Sequence, residues 1–553
     1  MAQLIGPLFS MLKGMKIEMP PIPASERTPL VENLLAIIDV QQQRIQQLEE
    51  MVQQLRDEIA ILKGQKPRPK IAPSQLEVPQ SPALKGSEKR PGSEKRSKNA
   101  ELTITHEHWL DVPDAPPGAV HKGYERYIVQ DLLIQPEVRC YWRQRVLTPD
   151  GHTLLAPLPP DLRPGCHFGP ELIRFLLYQH HHCGVTQPLL LEQLQEMGIA
   201  ISAGEIHNLL TENVAIFHEE CAALLPAALA VSTWVGVDDT GARHEGRNGY
   251  CTVISNDLFA SFASTDSKSR VNFLEVLRGS ATAYVINALA QAYWEEQGLA
   301  ADWREKLSTG PWSFADEAVW QARLAALGME AERAVRIATE GALLGCLIEQ
   351  GVSPELKILS DGAPQFDILV HASCWVHAER PLTRMIPYNE EHRQAIKFVQ
   401  SLVWELYKDL KLFRQRPEGG GKAALEYRFD FVVDQKTNYP SINQVLAEMR
   451  AHKADLLRVL EHPEVPLHNN GTESDIRDYV KKRKISGGTR SDTGRRCRDT
   501  FTSLKKTCRK LQVSFWSFLQ DRLCGLGKIP EISELIRQRA AEKSAGKVQA
   551  VLA

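Results

Sequence analysis

The sequence lacks the features that mark secreted and membrane proteins. Its ten cysteines include no Cys-x-x-Cys pair and follow no regular spacing, which argues against a disulfide framework and indicates reduced thiols. No stretch approaches the roughly 18 apolar residues that cross a bilayer, and residues 1–21 carry only a short apolar patch. We therefore expect a soluble cytoplasmic protein that does not associate with a membrane.

The net charge is small, −2, but the charges are segregated along the chain. Residues 63–98 hold ten Lys or Arg against three Asp or Glu, and residues 477–510 hold thirteen against three. Blocks of this kind indicate local attraction to the phosphate backbone of a nucleic acid. For the first block, a solubilising tail is an equal alternative.

A chain of 553 residues is long enough for several domains. After an N-terminal tail (1–27), residues 28–63 follow a heptad pattern in which nine of ten a and d positions from Val31 to Leu62 are apolar, Gln41 being the exception. This pattern predicts a two-stranded parallel coiled coil, and therefore a homo-oligomer. A helix packed on its own domain is the alternative. Residues 64–100, rich in Pro, Ser and Lys, predict a basic disordered linker.

Two small regions follow the linker. Residues 101–165 contain the strand-like runs YIVQDLLI and VRCYWRQRVL and predict a small strand-containing domain. Residues 166–225 predict helices, with Ser202 and Glu205 forming a capping box. The helix pair is a possible helix-turn-helix, but its glutamates favour a helical scaffold over a helix that reads a DNA groove.

The sequence offers no complete zinc site. In and just after the first of these small regions, only Cys140 and Cys166 are present and they lack paired spacing, so a four-ligand site cannot be built locally. The family that the chain resembles, named below, usually has a zinc ribbon at this position, which would make this region a degenerate one. The HHHC cluster at 180–183 is a poor chelate, because successive residues of a helix point in different directions. Cys374 and His377 form half of a site with no matching half nearby in sequence. We therefore expect no zinc.

Carboxylates follow two predicted strands. The run from Ala230 to Val237 predicts a buried strand that continues into Asp238 and Asp239. A second short apolar run ends just before Asp361. Strand ends lie at the rim of a sheet, where open α/β folds bind ligands.

A third carboxylate, Glu473, lies in the first turn of a predicted helix with Thr472 as its N-cap. An Asp–Asp–Glu set suits two divalent cations that act on phosphodiesters. The residues alone leave the convergence of the three open, since one Asp at a strand end is usually a turn residue or a helix cap.

Several sequence words resemble one known family in order. VDDTGARH, LSDGAPQF, CWVHAERPL and HNNGTESDIRDYVKKRKISGG are similar to the words of insertion-sequence-66-type bacterial transposases, and the resemblance spans roughly residues 28–525. It implies an RNase H-like fold with Asp238, Asp361 and Glu473 as catalytic residues and as ligands of two Mg²⁺ ions, for which Mn²⁺ can substitute. Asp239 stands where the family usually has Glu, and we interpret it as a neighbour of the ligand.

The predicted fold class is an α/β RNase H-like catalytic core with large helical insertions, an N-terminal coiled coil and mostly helical accessory domains. The catalytic domain spans 226–527, with insertions near 281–350 and 378–460, and residues 528–553 form a C-terminal tail. The runs YCTVISND and LFASFAST predict two further strands joined by a turn at 256–257.

The leading hypothesis is a nucleoid-associated DNA transposase that hydrolyses phosphodiesters at element ends and transfers the freed 3′ ends into target DNA. Its partner is double-stranded DNA, both at the element ends and at the target. Cations near Glu473 are predicted to bind this DNA: Arg477, Lys481, Lys482, Arg483, Lys484, Arg490, Arg495 and Arg496. The alternatives are a catalytically inactive DNA-binding protein and a coiled-coil assembly protein built on the same fold. For His377, a role near the leaving strand and a packed, hydrogen-bonded side chain both stay open.

Overall fold

The computed structural model describes Gln41 and residues 103–552, except 112, 114–115, 117, 160, 163–164 and 418–420, and describes side chains as far as residue 545. The predicted N-terminal tail, coiled coil and basic linker lie outside the described residues apart from Gln41. All three stay predictions.

The first described region is an extended segment with one short hairpin. Strands β1 (Arg145–Leu147) and β2 (Thr153–Leu155) pair in antiparallel register. The strand predicted over YIVQDLLI (127–134) is absent, and that prediction was wrong. Leu132 and Leu133 are strongly exposed. The described residues offer this run no neighbouring strand with which it could form a ladder.

A helical block follows. It contains α1 (Pro170–Leu177), a π-helical segment (Tyr178–Cys183), α2 (Gln187–Glu196), α3 (Ala203–Thr211) and α4 (Ala215–Val231). The predicted capping box at the start of α3 is confirmed, since the backbone N–H of Glu205 donates to Ser202 Oγ and that of Ser202 to Glu205 Oε2.

Among the described residues, Ala203–Val231 is the segment whose length and composition would suffice to cross a membrane, and half of its most apolar stretch is buried inside the protein. The segment is divided into α3 and α4. Glu220 of α4 is buried and accepts two hydrogen bonds from Arg522, at 2.7 and 2.8 Å. A buried ion pair of this kind is a feature of a helix in a protein core.

The three predicted strands around Asp238 are confirmed. They are β3 (Trp234–Gly241), β4 (Tyr250–Ser255) and β5 (Ala260–Thr265), and they form an antiparallel meander. The turn between β4 and β5 lies at Asn256–Asp257, where Asn256 Oδ1 accepts the backbone N–H of Leu258. Val235, Val237 and Val253 are fully buried, as expected of a strand with both faces covered.

A helical insertion separates this meander from the rest of the sheet. It comprises α5 (Arg270–Arg278), β6 (Tyr284–Val285), α6 (Ala288–Glu296), α7 (Ala301–Ser308), β7 (Ser313–Phe314), α8 (Glu317–Ala326) and α9 (Glu332–Glu349). The buried helix α9 packs against α6, and Trp294 Nε1 donates to the carbonyl of Ala338. The chain therefore returns to the sheet along a helix that belongs to the main core.

Two parallel strands complete the sheet: β8 (Lys357–Ser360) and β9 (Val370–Ser373), with a short 3₁₀ turn (Pro364–Phe366) between them. The order is β5-β4-β3-β8-β9, with β3 parallel to β8 and β8 parallel to β9. The protein thus has a mixed five-stranded sheet within an α/β architecture.

The second insertion is a helical subdomain with a core of its own. It contains α10 (Trp375–Arg384), α11 (Glu390–Gln415), α12 (Lys422–Val433), α13 (Pro440–Ala451), α14 (Lys453–Leu456) and α15 (Arg458–Glu461). Trp375, Val403 and Phe429 are among its fully buried side chains.

Four helices end the chain: α16 (Asn470–Ser486), α17 (Asp492–Lys510), α18 (Phe515–Cys524) and α19 (Ile532–Leu552). The stretch that we expected to be a C-terminal tail is instead helix α19, which packs against α4 with Ile532 and Ile536 fully buried. The burial of these two apolar side chains holds the start of the helix against the main core.

Helix α17 covers the exposed edge of the sheet at β5. The backbone N–H groups of alternate β5 residues donate to side chains of the helix. The pairs are Ala260 with Thr507 Oγ1 at 3.1 Å, Phe262 with Ser503 Oγ at 2.9 Å and Ser264 with Asp499 Oδ2 at 2.8 Å. The donors of an edge strand are thereby satisfied without a sixth strand.

Candidate active site

Asp238 and Asp361 are carried by neighbouring parallel strands. In the β3–β8 register, Gly236 pairs with Leu359. Asp238 lies two residues beyond Gly236, and Asp361 lies two beyond Leu359, immediately after β8 ends. Successive residues of parallel strands advance together, so the two aspartates are brought to the same place in the sheet.

Glu473 reaches the same place because the first turn of α16 lies directly on β3. A Cβ built on Gly236 would come within 2.2 Å of Thr472 Oγ1, so the helix and the strand approach at a position where only glycine fits. Asn469 Nδ2 donates to the carbonyl of Val237 at 2.8 Å, and Ser255 Oγ donates to Thr472 Oγ1 at 3.1 Å.

Thr472 is not the N-cap of this helix, as we had expected. The helix begins at Asn470, and Thr472 is a buried residue of its first turn, with its hydroxyl directed at β4. The Thr472 hydroxyl is thus hydrogen-bonded to the sheet and does not cap the helix. Glu473 nevertheless lies in the first turn, as predicted.

The electrostatics of Asp238 reflect this convergence. Burial raises the pKa of its carboxyl to about 7, and the charges of Asp361, Glu473 and Asp239 act in the same direction. The backbone N–H of Asp239, which donates to Asp238 Oδ1 at 2.7 Å, opposes the rise. A carboxyl whose pKa is raised to near 7 by burial, with a further contribution from neighbouring carboxylates, is typical of functional sites.

Asp239 occupies a different environment. Its side chain forms an ion pair with Lys268 and accepts a hydrogen bond from Gln365 Nε2 at 2.8 Å, and it is only 6% exposed. Both carboxylate oxygens therefore already have partners. This supports the choice of Asp238 over its neighbour as the available carboxylate.

Glu473 is flanked by two basic side chains. His377 Nδ1 lies 3.7 Å from Glu473 Oε1, and Arg477 Nη2 lies 3.5 Å from Glu473 Oε2. Among the described residues, none forms a hydrogen bond with the buried Oε1 atom. His377 Nε2 also contacts Arg380 Nη1, at 2.8 Å, so His377 is both packed and adjacent to the carboxylate cluster.

In the folded protein, Glu473 lies close to Cys374 and His377 and is a possible third ligand, which the sequence analysis did not identify. The ligand atoms of Cys374, His377 and Glu473 lie within 4.8 Å of one another. Burial raises the pKa of the Cys374 thiol to about 11. The thiol is therefore protonated at neutral pH, and Sγ accepts the backbone N–H of Asn469 at 3.3 Å. The expectation that the chain holds no zinc stays a prediction.

The predicted DNA-binding cations lie in very different places. Arg477 and Lys481 are strongly exposed on α16, with side-chain exposures of 68% and 74%. Lys484, Arg490 and Arg496 are also exposed, and within the described part of the chain none of them forms an ion pair. Arg477, Lys481 and Lys484 lie at helical spacing on α16, the helix that carries Glu473. Arg490 lies in the loop after this helix, and Arg496 lies on α17.

The other three cations are engaged by residues of the protein itself. Lys482 is buried, with Nζ 3.1 Å from His181 Nδ1, and burial holds the pKa of its ammonium well below the usual value. Arg483 donates to Thr240 Oγ1 and to the carbonyl of Gly241. Arg495 pairs with Asp266 and Asp492. Lys482 in particular does not reach the surface.

Lys268, Gln365 and Asn469 are site residues that the sequence analysis missed. Gln365 and Asn469 lie inside the words LSDGAPQF and HNNGTESD, where position within a matching word was the available signal. Lys268 lies in the β5–α5 connection, and nothing in the sequence linked it to Asp239.

Carboxylates gathered at the rim of a mixed sheet beside a basic helix define a class: enzymes that process nucleic acids. The model of a family described as "Transposase IS66 family" matches residues 361–496. A protein of Sinorhizobium fredii (strain NBRC 101917 / NGR234) named "Uncharacterized protein y4jO" is 40% identical over 306 residues, which cover 54% of this chain and 94% of that protein. The chain belongs to the IS66 transposase family.

Proposed function

We propose that the chain is a DNA transposase whose catalytic carboxylates are Asp238, Asp361 and Glu473. One observation carries this proposal: Asp238 and Asp361 follow paired positions of β3 and β8, and the first turn of α16, which holds Glu473, contacts β3. The charges of Asp361 and Glu473 act on the half-buried Asp238, while the adjacent Asp239 is paired with Lys268. Among the described residues, Asp238 and Asp361 form no ion pair, whereas Glu473 lies beside Arg477 and His377. Such a group of carboxylates favours a bound cation.

We interpret the sheet as an RNase H-like core. Three antiparallel strands, β3 to β5, continue through two parallel strands, β8 and β9, and the following helix α16 returns to the first strand. This supports the fold implied by the sequence resemblance. The two helical regions, before β8 and after β9, would then be insertions into that core.

The donor set fits Mg²⁺. Carboxylate oxygens are the hard ligands that Mg²⁺ prefers. Glu473 Oε1 is buried and accepts no hydrogen bond within the described residues, and such an atom costs free energy that a cation would offset. Asp238, Asp361 and Glu473 would hold the metal. Two bound ions would help to activate the attacking oxygen and to stabilise the leaving oxygen of a phosphodiester.

Other residues of the chain would hold and surround this group. Lys268 and Gln365 fix Asp239, and the backbone N–H of Asp239 in turn orients Asp238 Oδ1. Asn469 fixes the start of α16 against β3, and thereby Glu473. Arg477 places an exposed guanidinium beside Glu473, where it would pair with a phosphate of the bound strand.

The substrate would be double-stranded DNA, bound by the exposed cations Arg477, Lys481, Lys484, Arg490 and Arg496. Hydrolysis at an element end would leave a free 3′-OH. Attack of that hydroxyl on a target phosphodiester would form a new P–O bond and break the existing one, which joins the two DNAs and releases a 3′-OH of the target strand. The alternative is a catalytically inactive DNA-binding or assembly protein with the same fold, which would bind DNA without cleaving it.

The first prediction tests catalysis directly. Asp238→Asn, Asp361→Asn and Glu473→Gln keep side-chain shape but remove a negative charge from the metal ligands. Each should reduce Mg²⁺-dependent cleavage of element-end DNA to background, while DNA binding measured by fluorescence anisotropy persists. Cleavage is followed on labelled duplexes by denaturing gel electrophoresis.

Asp239→Asn is the matched control, because the carboxylate of Asp239 is already engaged by Lys268 and Gln365. It should retain more activity than Asp238→Asn. The reverse order would show that Asp239 is the ligand. Unimpaired cleavage by all four variants would contradict the metal-dependent mechanism, and DNA binding by a wild-type protein that never cleaves would favour the inactive alternative.

A further inference from the structure

Ser360, His371 and Asp455 form a continuous chain of hydrogen bonds behind the candidate active site. Ser360 Oγ lies 2.9 Å from His371 Nε2, and His371 Nδ1 lies 3.1 Å from Asp455 Oδ2. Ser360 is the last residue of β8, His371 belongs to β9 and Asp455 to α14. The chain therefore links two strands of the sheet to the helical subdomain.

The direction of these hydrogen bonds follows from the acid at one end. Burial acts to raise the pKa of Asp455, but the hydrogen bond from His371 and the charge of Arg458 outweigh it and lower the pKa. An ionised Asp455 accepts the Nδ1 proton of His371. His371 Nε2 is then the acceptor for the Ser360 hydroxyl.

At the sheet end, the chain acts on the turn that carries Asp361. Ser360 Oγ accepts the backbone N–H of Gly362 at 3.0 Å, and Asp361 Oδ1 accepts that of Ala363 at 3.1 Å. Gly362 has a φ of +93°, a conformation that glycine adopts without strain. The Ser360 hydroxyl therefore bridges His371 and the backbone on the far side of Asp361.

At the Asp455 end of the hydrogen-bonded chain, the helical subdomain also contacts the backbone of β9. Arg458 Nε donates to the carbonyl of His371 at 2.9 Å, and its Nη2 donates to Asp455 Oδ1 at 3.2 Å. Trp375 Nε1 donates to the carbonyl of Leu456 at 2.8 Å. The residue at the centre of the chain is thus held through both its side chain and its backbone.

We propose that Asp455, His371 and Ser360 are positioning residues that transmit the placement of the helical subdomain to the metal ligand Asp361. Ser360 and His371 are buried, at 0% and 5% exposure, so neither contacts DNA. They act through the Asp361 turn. The inference rests on the proposed function, because it takes Asp361 as a ligand.

Mn²⁺ binding to the full-length protein tests the proposal without any DNA cleavage. The dissociation constant is measured by electron paramagnetic resonance for wild type, Ser360→Ala and Asp455→Ala. Removal of groups behind a metal ligand typically weakens metal binding by about 10- to 100-fold, and we expect about tenfold here. Circular dichroism and the melting temperature report whether each variant is folded. Ser360→Ala removes only one oxygen atom. If Asp455→Ala does not fold, the Mn²⁺ affinity of Ser360→Ala alone tests the proposal.

Ser373→Ala is the matched control, because Ser373 pairs with Ser360 in the β8–β9 register but stands outside the hydrogen-bonded chain. It should leave Mn²⁺ affinity unchanged. The double variant Ser360→Ala with Asp361→Asn should bind Mn²⁺ no more weakly than Asp361→Asn alone. A merely structural role would not produce this lack of additivity.

The outcomes separate the two proposals. If wild type shows no Mn²⁺ binding that depends on Asp361, the proposed function fails and this inference fails with it. If that binding is present but Ser360→Ala and Asp455→Ala match wild type, the positioning role is overturned while the proposed function stands. A further loss of affinity from Ser360→Ala in the Asp361→Asn background would also overturn it.

Discussion

At the residue scale, two adjacent aspartates of β3 experience opposite electrostatic environments. Asp239 has a lysine and an amide as partners, whereas the half-buried Asp238 is exposed to the charges of two further carboxylates. The alternation of side chains along a strand produces this difference, because successive residues point to opposite faces. One charge is thereby compensated by the protein, and the other is left for a ligand.

The second prediction follows from the raised pKa of Asp238. The group has a pKa of about 7 in the folded protein, against 3.8 for an unperturbed aspartate. Folding therefore favours its protonated form, and this stabilisation is present below pH 3.8 and is lost as the pH rises through about 7. Without metal, the melting temperature of wild type relative to Asp238→Asn should fall between pH 5 and pH 8.

Added Mg²⁺ should reverse this loss. The rise in wild-type melting temperature on adding Mg²⁺, measured by differential scanning fluorimetry, should be larger at pH 8 than at pH 5, because the metal competes with protons for the carboxylates. Asp238→Asn should show little Mg²⁺-dependent rise at either pH. An equal rise in both proteins would place the metal elsewhere.

Single residues were predicted from the sequence as far as local pattern determines them. The strand before Asp238 and the end of β8 before Asp361 follow from apolar runs that stop at a carboxylate. The burial of Lys482 could not be predicted, because it depends on His181, which lies 301 positions away in the chain. The contact of Asp455 with His371 escaped prediction for the same reason.

At the element scale, the approach of α16 to β3 determines where Glu473 lies. The contact occurs at Gly236, where a side chain would overlap with Thr472. The distance between helix and strand is therefore set by the absence of a side chain on the strand. The same contact therefore sets the distance of Glu473, the proposed metal ligand, from the strand.

The third prediction is that Gly236→Ala destabilises the protein by about 1–3 kcal/mol, the usual range for overpacking a core. It should also weaken Mg²⁺ binding, since α16 must move away from β3. Urea unfolding and Mg²⁺-dependent melting shifts measure the two effects. Gly471→Ala is the control, because a Cβ at this position of α16 meets no atom within 4 Å. Equal stability of the two variants would contradict this account of the contact.

The exposed cations on α16 and in the following loop give the fourth prediction. Replacing Lys481, Lys484 and Arg490 with Ala should reduce the magnitude of the slope of log binding constant against log salt by about 2 to 3, since each lost phosphate contact removes about 0.9. Lys482→Met is the matched control: its ammonium is buried against His181, so the slope should stay unchanged. An unaltered slope in the triple variant would show that these cations do not contact phosphates.

Elements were predictable where a segment has its partner close by in sequence. The β3–β5 meander is joined by short connections, and its alternating apolar runs predicted it. Residues 127–134 carry an equally strong strand pattern but find no partner among the described residues. Strand propensity reflects packing against a neighbour rather than a property of the backbone alone, so the run stays extended and unpaired.

At the scale of the whole molecule, the chain divides its apolar side chains between separate cores. The main core joins the sheet to α1–α9 and α17–α19, while α11–α13 of the helical subdomain bury a second one. The insertion boundary predicted near 378 lies close to the start of α10 at Trp375. The length of chain between Asp361 and Glu473 was sufficient to indicate a subdomain.

The fifth prediction concerns assembly through the predicted coiled coil at 28–63. Deleting residues 1–64 should lower the molar mass measured by multi-angle light scattering to that of a smaller oligomer or a monomer, because a heptad of this length is a strong dimerisation element. If the truncated protein keeps the oligomeric state of the full-length chain, another surface joins the subunits.

The hydrogen bonds from β5 to α17 depend on two repeat distances, one of the strand and one of the helix, that are nearly equal. Alternate strand residues advance by about 6.6–6.8 Å, and every fourth helical residue advances by about 6 Å. Residues 499, 503 and 507 therefore stay in phase with 264, 262 and 260, as their N···O distances of 2.8, 2.9 and 3.1 Å show. The two advances differ by less than 1 Å per repeat. A straight helix can therefore accept about three such N–H groups before its side chains no longer lie opposite them. A β5 of six residues, Ala260–Thr265, is about the longest edge that one such helix can close.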